Sequence, residues 1–124
     1  MLIHSRFQPS FSRIIAADCF WIPDRHVDLV RSMCSLLDVD TKSRVLVVAG
    51  LHTGRTVIAH FFRIAEEMGL IPDEDGIQEK NLIDGSFRRW QESIVEEDNV
   101  ERKKWLVIAK LKRDKDILVV ENSI

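Results

Sequence analysis

Apolar and polar positions divide this chain into runs with two different periods. Residues 14–17 (Ile14, Ile15, Ala16, Ala17) and 45–49 (Val45, Leu46, Val47, Val48, Ala49) are unbroken apolar runs of strand length, the pattern of strands covered on both faces. A stretch of helical period follows each. After the first run, Val27, Val30, Cys34 and Leu37 recur on one stripe, widened by Leu29, Met33 and Leu36, while Arg25, Asp28, Arg31 and Ser35 take the wet side. Residues 25–37 therefore read as an amphipathic helix, with Pro23 delaying its start and Asp24 placed to cap it. After the second run, Ile58, Phe61, Phe62, Ala65 and Met68 define a helix over 55–68, stopped by Gly69 and barred from resuming by Pro72.

The later chain is less regular. Residues 72–76 read as an acidic turn, and 77–82 alternate as a strand whose inward face the pattern leaves open. Phe87, Trp90 and Ile94 share a helical face, which predicts a short helix over 86–95, and 96–104 reads as a charged linker. Residues 105–111 (WLVIAKL) are a third strand, on which 117–120 are expected to fold back across the polar turn 112–116. Residues 1–12 form an irregular lead-in, 13–113 the domain, and 114–124 a tail.

Two strands each followed by a helix imply a parallel α/β sheet, and ligands in open sheets of that kind bind beyond the carboxyl ends of the strands. Those ends are Asp18 to Trp21 and Gly50 to Arg55. With 124 residues, 45% of them hydrophobic, the chain makes one domain or a large part of one. Eighteen basic and twenty acidic residues, intermingled, leave a net charge of −2, which argues against nucleic-acid binding. No apolar run reaches the ~20 residues of a membrane span. The start has no apolar core of a secretory signal, and two cysteines without metal spacing make no disulfide framework. The expected setting is the cytoplasm or nucleus, with no membrane partner.

Candidate chemistry lies at the two strand ends. Asp18 can orient an amine or accept its proton, or it can bond to loop N–H groups and shape the turn; the residues allow both. Trp21 offers a flat wall for an aromatic or cationic ligand. His52, Thr53 and Arg55 are placed to contact a substrate. The stretch from Gly50 to Thr56 resembles a phosphate loop only loosely, since three residues separate its glycines instead of four and Arg55 replaces the lysine. His26 and His60 fall on polar helical faces with no second histidine at i,i+4, so no metal site is expected. Cys34 and the tryptophans Trp90 and Trp105 read as core.

The segments AADCFW, VLVVAGLHTGR and ERKKWLVIAKLKR, in that order, resemble the C-terminal half of a seven-strand S-adenosylmethionine-dependent methyltransferase. The similarity is greatest to the fungal nicotinamide N-methyltransferase-like group of the lysine-methyltransferase-like family. It implies a Rossmann-like α/β sheet in which 14–17, 45–49, 77–82 and 105–111 are strands four, five, six and seven. Their order would be 4-5-7-6, with the last strand antiparallel and helices flanking. It further implies S-adenosylmethionine as cofactor, with Ala16 and Ala17 beside it and Asp18 as the catalytic residue. Asp18, Trp21, His52, Thr53 and Arg55 would face a small heteroaromatic or a protein-lysine substrate. The family's Gly-rich turn and ribose-holding acid have no counterpart in this sequence, so the expectation is a partial methyltransferase domain, inactive alone. Two other readings accompany it: an interaction module that self-associates through the edge of strand 14–17, and a nucleotide-binding domain using 50–56.

Overall fold

The computed structural model describes residues 10–115. Five strands, β1 (Arg13–Ala17), β2 (Arg44–Gly50), β3 (Leu70–Asn81), β4 (Phe87–Arg89) and β5 (Trp105–Arg113), form one mixed sheet in the order β1-β2-β5-β3-β4. β1 and β2 are parallel, with Ala16 opposite Val47; β5 runs antiparallel to both of its neighbours, β2 and β3. Helix α1 (His26–Leu36) joins β1 to β2, and α2 (Arg55–Glu67) carries the chain over β5 to β3. The protein is thus α/β, as the two strand–helix units imply.

The period-two alternation of β2 sends Val45, Val47 and Ala49 to one face, where register places them beside Leu111, Ala109 and Val107 of β5. Val30 and Met33 of α1 and Ile58, Phe61, Phe62 and Ala65 of α2 pack into the same cluster. On the opposite face, Leu46, Val48 and Ile108 are half-buried and Ile15 is 71% exposed. The two long helices therefore cover one face of the sheet, not both. Unbroken apolar runs had implied cover on both sides. At the other margin, β1 pairs with β2 alone among the described residues, leaving its outer edge open.

Local chemistry explains where elements begin and end. A 3-10 turn, Pro23–Arg25, precedes α1; Arg25 stands at the cap position and no side chain caps the helix. The expected Asp24 cap is therefore absent, because the 3-10 turn already occupies that stretch. Gly69, at φ 94°, ends α2 as expected. Pro72 did not separate a turn from a strand. β3 runs through it, and residues 73–76 (Asp73, Glu74, Asp75 and Gly76) form an irregularity where the register on β5 shifts between Pro72 and Ile77.

The expected helix over 86–95 does not form: Phe87–Arg89 is strand β4, whose Arg88 lies opposite Glu79, and residues 90–95 are irregular. The 3.6-residue spacing of Phe87, Trp90 and Ile94 yielded to a buried ionic contact that only the paired strand can make. Within 96–104 lies a four-residue helix, α3 (Asn99–Arg102), capped by the Asp98 carboxylate accepting from the Glu101 amide at 2.8 Å. The expected fold-back of 117–120 lies outside the described residues.

Candidate functional site at the strand ends

Because β1 and β2 are parallel, their carboxyl ends open on the same side. Asp18 continues β1 by one bond: its amide donates to the Val48 carbonyl at 3.0 Å. Its backbone then turns to φ 53°, a conformation that Asp tolerates better than most residues. That turn brings Oδ1 back to accept from the Gly50 amide at 3.1 Å. One of the two roles open to Asp18, shaping the turn, is thereby observed. The carboxylate remains exposed.

Gly50 shows what occupies the rim above it. A Cβ there would lie 2.6 Å from His52 Nδ1 and 3.7 Å from Asp18 Oδ1, so the imidazole and the carboxylate border one point in space. Only glycine leaves room for the ring. Leu51, fully buried, anchors the 3-10 turn Leu51–Thr53 that presents His52 to solvent. Thr53 is half-buried in the same turn.

The loop after β1 is pinned at one residue. Phe20 is buried against Phe61 with ring centroids 4.5 Å apart, and its carbonyl meets His26 Nε2 at 2.6 Å. On either side of this anchor, Cys19 is exposed and Trp21 is 66% exposed. Partial desolvation and the Asp18 charge push the Cys19 thiol up, disfavouring the thiolate.

His26 is not on a polar face. It is 0% exposed, in line with Val30, Met33 and Leu37 on the core stripe, while Val27 turns outward. Its Nδ1 lies 2.7 Å from His60 Nδ1. A carbonyl oxygen only accepts, so His26 Nε2 carries the proton toward Phe20, its Nδ1 accepts, and His60 Nδ1 donates. Burial lowers the His26 pKa, outweighing the Phe20 bond, with His60 acting in the same direction. The positional signal was present: His26, Val30, Met33 and Leu37 are spaced as i, i+4, i+7 and i+11.

Arg55 is placed elsewhere than the rim. All five of its N–H donors are engaged: Glu79 takes two at 2.6 and 2.9 Å, Glu97 takes two at 2.7 Å each, and the Gln91 carbonyl takes one at 2.7 Å. It therefore has no donor left for a substrate. Arg88 adds a second cation, 2.9 Å from Glu79 and 3.6 Å above the Trp105 ring. Burial works against the Arg55 charge, but the bonds to Glu79 and Glu97 outweigh it and raise its pKa. Burial would likewise raise Glu79; bonds from Arg55, Arg88 and the Gln91 amide hold it below its ordinary value. This cluster ties α2 to β3 and to residues 91–97. Glu79 shares parity with Ile77, but the alternation over 77–82 left open which face turns inward.

Ala16 is a core residue, and Ala17 is exposed. Both line a groove of about 340 Å³ along the outer edge of β1, with Ile14, Ile15, Cys19 and Leu29. Among the described residues that line it, no side chain is charged and able to hold the amino-acid portion of S-adenosylmethionine or its ribose hydroxyls. These residues do not by themselves fit that molecule. Among the described residues no three His, Cys, Asp or Glu side chains gather in a way that could hold a metal ion, and no helix is long and apolar enough to cross a membrane. No protein-family model matches the chain, and no curated protein matches it in sequence.

Proposed function

We propose that this chain is the acceptor-side wing of a seven-strand S-adenosylmethionine-dependent methyltransferase. The strand order carries the reading. β1-β2-β5-β3, with the first pair parallel and β5 reversed between its neighbours, is the 4-5-7-6 order that the resemblance implies. The open outer edge of β1 falls where strand one of such a sheet would pair, and the exposed Ile15 lies on the uncovered face.

On this reading the chain's own residues handle the methyl acceptor. Asp18 and His52 border one point at the strand ends. A protein lysine would have to lose a proton before its nitrogen could attack, and His52 is the base in reach, with the Asp18 charge beside it. A small heteroaromatic nitrogen needs no such step, and Trp21 offers it a flat wall. Thr53 flanks the turn. The described residues do not make a donor cradle, so on this reading other residues hold the donor.

The test has two arms. Calorimetric titration of the 124-residue chain with S-adenosylmethionine gives no measurable binding, and micromolar affinity would refute the missing cradle. Sequencing the transcript upstream of Met1 reveals an in-frame strand and Gly-rich turn, and the longer protein binds the donor. A longer frame without that turn, together with no binding, ends the proposal.

The β1 edge, unpaired among the described residues, favours a second reading, a non-catalytic module that pairs with its own copy there. Light scattering would then give a dimer that Ile15→Lys dissociates. A monomer at all concentrations rules it out.

A further inference from the structure

At the end of the sheet opposite the candidate site lies a cavity of about 230 Å³, lined by the turn before β2, the end of β5 and the irregular part of β3. It is smaller than the ~300–1,000 Å³ clefts that take drug-sized ligands. Four of its lining side chains are basic (Arg44, Lys112, Arg113 and Lys115) and two are acidic, Asp40 and Glu74. Both acids are already engaged. Asp40 accepts from the Lys42 amide at 2.7 Å and Glu74 pairs with Lys112 at 3.2 Å.

Two polar groups of this lining are buried without a partner among the described residues: Ser43 Oγ, in a residue only 2% exposed, and Arg113 Nε. An orphaned buried donor is costly, so two beside one small cavity call for an explanation. Arg113 is held in place, its Nη2 donating to the Cys34 carbonyl at 3.0 Å and to that of Leu37, while Nε is a buried donor with no partner among the described residues. Arg44 is fixed by the Thr41 and Ser43 carbonyls at 2.8 and 2.9 Å. The lining is thus rigid, rich in donors and net positive.

We propose that this cavity binds a small oxyanion of the phosphate or sulfate kind, with Ser43 and Arg113 donating hydrogen bonds and Lys115 supplying charge. The inference stands apart from the methyltransferase reading and survives its failure. The probes are inorganic phosphate and sulfate, followed by thermal unfolding against chloride at matched ionic strength. The wild-type melting temperature rises saturably with either oxyanion. Ser43→Ala melts no lower than wild type in chloride, because its hydroxyl has no partner to lose, yet binds phosphate about tenfold more weakly, the loss of roughly one charge-assisted hydrogen bond. Lys115→Gln, an exposed change, also weakens the rise. No oxyanion-specific rise in the wild type overturns the proposal. So does a rise left intact in both variants, or a Ser43→Ala protein destabilised in chloride, which would mean that the hydroxyl is satisfied without an anion.

Discussion

Two polar clusters in this protein use similar side chains to opposite ends. At the strand ends, Asp18 and His52 stand beside one another in solvent, with one carboxylate oxygen bonded to Gly50. Behind the first turn of α2, Arg55, Glu79, Glu97 and Arg88 are packed against one another, two cations against two anions, with every Arg55 donor consumed. The comparison separates holding from acting. A group whose bonds are all internal can fix an element but has nothing to offer a ligand; a group with spare capacity at a strand end can. Position in sequence did not distinguish them, since His52 and Arg55 are three residues apart.

The largest expected effect tests the buried member. Arg55→Met leaves Glu79 and Glu97 without their main cation, and breaking a buried pair from one side costs about 3–5 kcal/mol. Urea unfolding measures it. Replacing Arg55 and Glu79 together with apolar residues recovers much of that loss, and a double variant no better than the single would show that the cluster does more than neutralise itself.

The rim responds less. Asp18→Ala loses the Gly50 bond and places alanine at φ 53°, for a cost of about 1–2 kcal/mol. Asp18→Asn keeps both features and stays near the wild type in stability, so any function it loses belongs to the charge. Gly50→Ala forces the His52 ring away from Asp18 and costs about 1 kcal/mol. The His52 imidazole resonances in an NMR spectrum move in that variant; unchanged resonances would contradict the placement of the ring.

The smallest expected effect is on pH dependence. His26 has its pKa lowered in the folded protein, so the unfolded chain binds the proton more readily. Its contribution is complete above its ordinary value of 6.5 and is lost as pH falls below it. Glu79, also lowered, holds its contribution above 4.5 and loses it under more acidic conditions. Stability therefore declines in two phases on acidification. His26→Gln removes the upper phase and Glu79→Gln diminishes the lower, in which the lowered carboxyls of Glu74 and Asp84 also share, and a single phase in the wild type would contradict this division.

Legibility followed the range of the forces involved. The strands at 14–17, 45–49 and 105–111 and the two long helices could be read because their burial repeats within a few residues. The Gly69 stop was legible for the same reason, being a demand of one backbone angle. β4 was not, because its conformation depends on Arg88 finding Glu79 nine positions earlier and the Trp105 ring farther on. At the rim, the nearness of Asp18 and His52 could be inferred once parallel strands were assumed. Nothing local announced that Arg55 turns inward, since the carboxylates that claim it lie 24 and 42 residues away.

By itself, the sequence determined the periodic elements, their order along the chain and the end of the sheet at which the loops after β1 and β2 emerge, because each is encoded in short-range patterns of burial and backbone preference. Only the tertiary structure decided which ionisable side chains are spent on holding the fold and which remain available. That division depends on distances between residues far apart in the chain, and a buried charge is retained only where its partners arrive from elsewhere.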